Sequence, residues 1–274
     1  MKWMEVSEME MPDSIRKILE ASGISKPTTY PTEEEQAKAS AEQANRERGN
    51  LKGIDCPDCL NRGYITVVDG THTSVQICHC MKARESLRLI RLSGLKEMLD
   101  QYALQNWQTP EPWQRKAKEL AMKYVEEKTG WFFVAGQSGC GKSHLCTAIC
   151  GEFLKAGIDV RYMLWRDAAV QAKAIVNTSE YEDVMEPLKN ATVLYIDDLF
   201  KTGRGQQPTT ADVNLAFELI NFRYMQKGKL TLISTERGFE ELMDIDEAIG
   251  GRIYERSKGY RLDFRNKPNW RLRE

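Results

Sequence analysis

Residues 136–143 read Gly136-Gln137-Ser138-Gly139-Cys140-Gly141-Lys142-Ser143, which matches the pattern GxxxxGK[ST] in full. The apolar run Trp131–Ala135 precedes this loop, and a segment with apolar residues at helical spacing follows it. Such a strand–loop–helix binds phosphate, because the loop N–H groups and the helix N-terminus point at the anionic oxygens. We therefore expect a triphosphate here, with Lys142 at its β- and γ-phosphates and Ser143 on Mg²⁺.

An acidic strand end supplies the second half of the predicted site. The run Val193–Asp197 is followed directly by Asp198. We expect Asp197 to hold Mg²⁺ together with Ser143, and Asp198 to orient the attacking water. The residues predicted to contact ATP are Gly136, Gln137, Ser138, Gly139, Cys140, Gly141, Lys142, Ser143, His144 and Asp197.

Alternation of short apolar runs with helical segments predicts the fold from residue 131 onward. The runs are Trp131–Ala135, Val160–Leu164, Val193–Asp197, Leu230–Ser234 and Tyr260–Phe264. Strands separated by helices pair in parallel and are covered on both faces. We therefore predict an α/β fold with a five-stranded parallel sheet between helices.

Composition narrows the class of protein. The chain has 274 residues, of which 41% are hydrophobic and 29% charged, and its formal charge is −1. It contains no run of about 20 apolar residues, and its first residues lack the apolar core of a secretory signal. We expect a cytoplasmic protein with no membrane contact. The charge argues against an overall basic coat but leaves room for a local basic groove.

Three regions are expected along the chain. Residues 1–50 should form a polar helical arm, with one helix around Ile15, Ile18 and Leu19. A second helix should run from Thr32 to Arg48 and begin in a capping box formed by Thr32 and Glu35. Residues 51–95 should form a metal-binding hairpin and a basic linker helix, and residues 96–274 the nucleotide-binding domain.

Four of the seven cysteines form a cluster, namely Cys56, Cys59, Cys78 and Cys80. The runs Tyr64–Val68 and Ser74–Ile77 predict a hairpin that brings the two pairs together around one Zn²⁺. Because the second pair is spaced C-x-C, His72 or His79 could replace one thiolate. Cys146 and Cys150 lie on one helix face and should be core residues.

Further candidates are less constrained. One of Ser234, Thr235 and Glu236, at the end of the fourth run, could touch the γ-phosphate. Arg252 and Arg256 share a helix face, and either could be an arginine finger inserted into a neighbouring subunit's site. Arg223 is a weaker candidate of the same kind, and ordinary surface pairing with acidic neighbours is the alternative.

Two basic stretches favour nucleic-acid contact when they are taken together. The first comprises Lys82, Arg84, Arg88, Arg91 and Lys96, and the second Lys258, Arg261, Arg265, Lys267, Arg271 and Arg273. Trp165 and Trp270 could stack on bases. For either stretch alone, solvated helix charge is the simpler interpretation.

The order of these motifs resembles a known family. CPDC and CHC are followed by a basic segment ending in Ser93-Gly94-Leu95, then by residues 136–143, YIDD, a strand-end STE and GRIYER. Over residues 50–265 this order resembles the bacterial and phage replicative helicase loaders of the DnaC/DnaI type, which are AAA+ ATPases. The P-loop alone is common to many ATPase families, and it is the zinc hairpin preceding it that points to this one.

The resemblance implies a function and partners. Such loaders bind the hexameric replicative helicase through an N-terminal domain, bind ATP and single-stranded DNA, and assemble side by side in a spiral or hexamer. It also implies that residues 136–143 are Walker A, Asp197-Asp198 Walker B and Arg252 the arginine finger, with sensor 1 near Thr235–Glu236. The sequence departs from the family pattern at Glu236, where many relatives have Asn. A C-terminal helical lid, with its second sensor, is not expected.

The leading hypothesis is an ATPase that loads the replicative helicase onto single-stranded DNA and turns over slowly unless it is assembled. Its catalytic residues would be Lys142, Asp198 and Arg252. One alternative is a transposition helper ATPase of the IstB type, which would act on duplex DNA. Another is a non-hydrolysing interaction module that holds ATP as a structural ligand. A small-molecule kinase fits least, since no substrate-binding insertion is evident.

Overall fold

The computed structural model describes residues 31–92, 96–203 and 205–272. The helix predicted around Ile15, Ile18 and Leu19 lies outside these ranges. The described chain forms two compact units, one of residues 31–46 and 66–75 and the other of residues 47–65 and the remainder from 76 onward. The boundaries expected at residues 50 and 95 remain predictions.

The smaller unit contains the predicted polar helix, α1 (Glu33–Arg46). Its capping box forms as expected, because the Thr32 N–H donates to Glu35 Oε2 at 2.7 Å and the Glu35 N–H donates to Thr32 Oγ1 at 3.2 Å. The predicted hairpin consists of β1 (Tyr64–Asp69) and β2 (His72–Ile77), of which residues 66–75 belong to this unit. Within this unit, the Asn45 carboxamide pairs with the backbone N–H and C=O of Thr66 at 2.9 and 2.8 Å.

The larger unit begins with the cysteine region and a set of helices before the sheet. These are α2 (Cys80–Leu92), α3 (Lys96–Gln101), a 3₁₀ turn (Leu104–Asn106) and α4 (Pro112–Glu127). Pro112 starts α4, where its missing N–H costs nothing. The polar face of α4 is exposed, whereas Ala117, Ala121 and Tyr124 are buried against the sheet domain.

The five predicted strands form one parallel sheet with the order β4-β5-β6-β3-β7. The strands are β3 (Trp131–Gly136), β4 (Val160–Leu164), β5 (Val193–Leu199), β6 (Leu230–Thr235) and β7 (Arg261–Phe264). The connecting helices are α5 (Lys142–Lys155), α6 (Trp165–Ile175), α7 (Glu180–Asn190), α8 (Thr210–Met225), α9 (Phe239–Ile245) and α10 (Glu247–Arg256). Because all strands run the same way, their carboxyl ends meet at one edge, which is where ligands bind in such sheets.

Side chains of the central strands alternate between two cores. Phe132 and Val134 face the core that contains α4 and α5, whereas Trp131 and Phe133 face the core that contains α8 and α10. This burial on both faces explains why the runs are continuously apolar. Among the described helices, none is both long and apolar enough to cross a bilayer.

Candidate nucleotide site and metal centre

The glycine-rich loop lies between the end of β3 at Gly136 and the start of α5 at Lys142. Gly139 and Gly141 adopt φ values of +78° and +100°, which glycine alone adopts without strain. The Lys142 ammonium is buried across the loop and donates to the carbonyls of Gly136 at 2.8 Å and Gln137 at 3.1 Å. The loop therefore has the shape of a phosphate cradle with a lysine inside it.

A cavity of about 460 Å³ lies over this loop. Of the predicted ATP contacts, it is lined by Ser138, Gly139, Gly141, Lys142, Ser143, His144 and Asp197. Gly136 lies behind the loop, where a Cβ would come within 2.7 Å of the Phe264 Cβ. The Gln137 side-chain amide donates to the Lys267 carbonyl. The Cys140 thiol is buried, and this burial raises its pKa. These three residues lie beside the cavity.

Asp197 accepts hydrogen bonds from four hydroxyl groups. The donors are Ser143 at 3.2 Å, Tyr162 at 3.2 Å, Tyr195 at 2.6 Å and Ser234. Burial raises the pKa of both tyrosines, so that their hydroxyls remain protonated donors. The Ser143 and Asp197 oxygens lie together beside Lys142, which is the hard oxygen donor set that Mg²⁺ prefers. These residues fit Mg²⁺ beside a triphosphate.

Sequence reasoning did not single out the two tyrosines. Tyr195 is two residues before Asp197 on β5, so both side chains lie on one face of the strand. Tyr162 pairs in register with Tyr195 across β4 and β5. The first relationship is visible in the sequence, whereas the second depends on the strand order.

Asp198 follows with a strained backbone. Its φ of +54° is unusual for a residue with a side chain, and the pairing of β5 with β6 is irregular here. The Asp198 N–H donates to Ser234 Oγ at 3.0 Å. Burial and the neighbouring Asp197 charge raise the pKa of Asp198. The carboxylate lines the cavity over the loop, where a group acting on water must be.

At the end of β6, the structure separates the three sensor 1 candidates. Ser234 and Thr235 are fully buried; Ser234 bonds Asp197, and Thr235 donates to the Leu199 carbonyl at 2.8 Å. Glu236 lines the cavity and pairs with Lys201. The Lys201 ammonium also lies 3.9 Å from Asp198. Glu236, paired with Lys201, is thus the candidate that faces the cavity over the loop.

The three arginine candidates have different environments. Arg223 is fully buried and makes five hydrogen bonds, and Arg256 donates to the carbonyls of Tyr224 and Gln226 at the end of α8. In the described chain the guanidinium groups of Arg223 and Arg256 are therefore engaged in contacts within the chain. The Arg252 guanidinium lies 5.1 Å from the Phe217 ring centroid and 5.6 Å from that of Tyr224. Arg252 as the finger stays a prediction.

The four predicted zinc ligands come together in the larger unit. The sulfurs of Cys56, Cys59, Cys78 and Cys80 all lie within 4.8 Å of one another. The Sγ atoms of Cys56 and Cys78 are 3.7 Å apart, and those of Cys59 and Cys80 are 3.6 Å apart. Both distances are close to the ~3.8 Å edge of a tetrahedron with Zn–S bonds of about 2.3 Å. Burial opposes ionisation of Cys59, but the Gly63 N–H and the other thiols lower its pKa to about 7. The residues fit a closed tetrahedral zinc site.

Neither of the two histidines considered as alternative ligands belongs to the four-cysteine group in the described residues. His72 belongs to the smaller unit. His79 pairs with Asp58 at 2.7 Å, and this exposed pair could join the buried Cys56 in a second donor set. His79 also packs on Gly157 after α5, where a Cβ would come within 3.0 Å of its ring. The cysteine region therefore contacts the helix that starts at the loop.

The basic stretches are only partly free for other ligands. Arg84 donates to the carbonyls of Lys52 and Ile54, at 2.7 Å each, and so braces the cysteine region. Arg265 pairs with Asp263 at 2.7 Å. Trp165 is buried and cannot stack on a base, whereas Trp270 lines the cavity over the loop. Arg273 lies outside the described residues.

These features define a P-loop nucleotide-binding protein with a cysteine-rich metal-type centre. Residues 72–254 match the family model described as IstB-like ATP binding protein. The chain belongs to this IstB/DnaC-like family of AAA+ ATP-binding proteins.

Relatives share most of this region. The chain is 30% identical to the phage-like element PBSX protein XkdC of Bacillus subtilis (strain 168) over 75% of its own length and 80% of XkdC. It is 32% identical to YqaM of the same organism, over 67% of its length, and spans 61% of YqaM. It is 26% identical to the replicative helicase loader DnaC of Escherichia coli (strain K12), over 65% of its length and 71% of DnaC.

Solved structures share the fold. A crystal structure of the DnaC helicase loader matches with a TM-score of 0.53 at 21% identity, covering 60% of this chain and 96% of that one. AMPPCP-bound DnaA from Aquifex aeolicus matches with a TM-score of 0.51, also at 21% identity, covering 62% of this chain and 52% of that one. These likenesses confirm the predicted parallel-sheet AAA+ fold.

Proposed function

We propose that this protein is an ATP-dependent loader that places a hexameric replicative helicase on single-stranded DNA. The observation that carries the proposal is the cysteine cluster, which lies in one compact unit with the nucleotide cavity. His79, between two of its cysteines in the sequence, packs on Gly157 just after α5. The similarity to DnaC supports the same partner class. The zinc centre would hold the linker region in a fixed shape, because so small a hairpin buries little apolar surface.

In this proposal, residues 136–143 bind the phosphates of ATP, and Lys142 leaves its loop carbonyls to pair with the β- and γ-phosphates. Ser143 and Asp197 hold Mg²⁺, which neutralises charge on the transferred phosphate. Asp198 orients the attacking water. Arg252 acts in a neighbouring subunit, so hydrolysis requires assembly into a spiral or hexamer. ATP binding thereby couples self-association to a grip on single-stranded DNA.

A closed circle of single-stranded DNA gives the sharpest test, because a ring helicase cannot thread onto it without being opened. We expect the wild-type chain with ATP to transfer its cognate replicative helicase to the circle, scored as helicase that co-elutes with DNA after a salt wash. Lys142→Ala should fail, and Lys155→Ala should succeed. Lys155 is the matched control, since it is an exposed lysine of the same helix paired with Glu152. Equal transfer with and without the wild-type chain would contradict the proposal.

The transposition helper remains the second candidate, because the matching family model carries the IstB-like description. That function requires duplex DNA as the activating partner. ATP hydrolysis should therefore be measured with single-stranded and with duplex DNA at equal nucleotide concentration. Stimulation by duplex alone would favour the helper, and stimulation by single strands alone would favour the loader.

A non-hydrolysing interaction module is distinguished by turnover. Should the wild-type chain bind ATP but release no phosphate at any protein concentration or with either DNA, the module would replace both ATPase functions. A rate per subunit that rises with concentration, and that Arg252→Ala flattens, would support the finger acting between subunits.

A further inference from the structure

The segment after β7, residues 265–272, is attached to the P-loop; we call it the tail. The backbone N–H of Trp270 donates to the Gly139 carbonyl at 2.9 Å, and the Gln137 side-chain amide donates to the Lys267 carbonyl. The Asn269 carboxamide lies so close to Gly139 that a Cβ there would overlap it. Three contacts thus attach the tail to the loop, one at Gln137 and two at Gly139.

Trp270 lies at the border of two cavities. The first is the phosphate cavity described above. The second, of about 230 Å³, has an aromatic wall formed by Trp107 and His144. Their ring centroids are 5.1 Å apart in an edge-on arrangement. Gly141, His144 and Trp270 line both cavities, so a ligand extending from one to the other must pass Trp270.

Arg271 adds charge to the phosphate cavity. Three carboxylates, those of Asp197, Asp198 and Glu236, line this cavity, and Lys142 is the lysine facing them. Arg271 lines it as well, and no ion pair ties its guanidinium to a carboxylate of the described chain. The Arg271 N–H donates to Asn269 Oδ1 at 3.0 Å, so the residue packed on Gly139 also orders the turn that carries Arg271.

We infer that the tail is a nucleotide clamp contributed by the same chain, in which Arg271 binds the terminal phosphate and Trp270 separates the phosphates from the rest of the nucleotide. The inference rests on ATP being the ligand, as in the proposed function. Arginine suits this role because its charge is permanent and its planar fork matches phosphate oxygens. Arg271 lines the same cavity as Asp198 and Glu236, at the carboxyl ends of β5 and β6. In the proposed function this is the side of the γ-phosphate, which ADP lacks. The clamp should therefore favour ATP over ADP.

Binding of ATP and ADP with Mg²⁺, measured by calorimetry, tests the clamp. Arg271→Ala should weaken ATP binding about tenfold or more, as expected for loss of a charged hydrogen bond, and should weaken ADP binding less. Arg271→Lys should recover part of the loss. Arg265→Ala is the matched control, because that tail arginine is paired with Asp263 away from the cavity and should leave both affinities unchanged.

Tryptophan fluorescence gives an independent readout. The chain has six tryptophans, so the Trp270 signal is the difference between wild type and Trp270→Phe. ATP should change that difference, and Asn269→Ala should reduce the change. If Arg271→Ala binds ATP within about twofold of wild type while Lys142→Ala does not bind, the clamp is wrong and the nucleotide site stands. If the wild-type chain binds no ATP, both fail.

Discussion

Arg223 offers a test of the packing that supports the site, through the substitution Arg223→Met. The guanidinium is fully buried and donates to Thr231 Oγ1 at 3.0 Å and to four backbone carbonyls at 2.6 to 3.1 Å. Those carbonyls belong to Leu188, Lys189, Ala191 and Leu230, so one side chain ties the end of α7 to the start of β6. Burial lowers the pKa of Arg223 to about 10, which leaves it charged at neutral pH.

Methionine keeps much of the apolar stem but removes all of these donors. Each buried acceptor left without a partner costs about 1–3 kcal/mol. Part of this total cost is offset, because the variant no longer has the desolvation penalty of burying the guanidinium charge. We therefore expect the free energy of unfolding to fall by about 3–5 kcal/mol, as when a buried charge network is broken. At about 2–4 °C per kcal/mol for a domain of this size, Tm should drop by roughly 6–20 °C.

Thermal and urea unfolding followed by circular dichroism would measure the change. Arg252→Met is the matched control, because Arg252 stacks on Phe217 and Tyr224 and should lose no more than about 1 kcal/mol. An Arg223→Met chain as stable as wild type, but without ATPase activity, would refute the structural role and would favour Arg223 as a finger.

Three further predictions concern the site. Asp198→Asn should retain ATP binding and lower the hydrolysis rate by about 10²-fold or more, measured as phosphate release from assembled protein, and unchanged release would count against its role toward water. Tyr195→Phe removes the 2.6 Å bond to Asp197 and should weaken Mg²⁺-dependent ATP binding about tenfold, while binding in EDTA stays unchanged. Cys59→Ser should abolish bound zinc in atomic absorption measurements, whereas Cys150→Ala, outside the cluster, should keep it; equal zinc in both would contradict the ligand set.

The sequence predicts those features that depend on local pattern. All five strands follow from continuous apolar runs, and the loop at 136–143 follows from glycine spacing and its strand–helix context. The capping box at Thr32 and the meeting of the four cysteines are equally local, because a hairpin with a short turn brings its own ends together.

Features that depend on strand order and packing could not be predicted from the sequence. The hydroxyls of Tyr162 and Ser234 reach Asp197 from strands on either side of β5. Arg223 reads as a helix charge and is buried only because α7, α8 and β6 converge on it. The basic residues of the tail favour nucleic-acid contact in the sequence, whereas in the structure Trp270 lies against the P-loop, more than a hundred residues earlier in the chain.

Direct titration of the wild-type chain with ATP and Mg²⁺, beside Lys142→Ala and Lys155→Ala, measures whether the loop at 136–143 is a nucleotide site. We expect saturable binding of one ATP per wild-type and per Lys155→Ala chain, and loss of binding in Lys142→Ala. Equal affinity in all three proteins would place the nucleotide elsewhere and contradict the assignment of residues 136–143 as the nucleotide site.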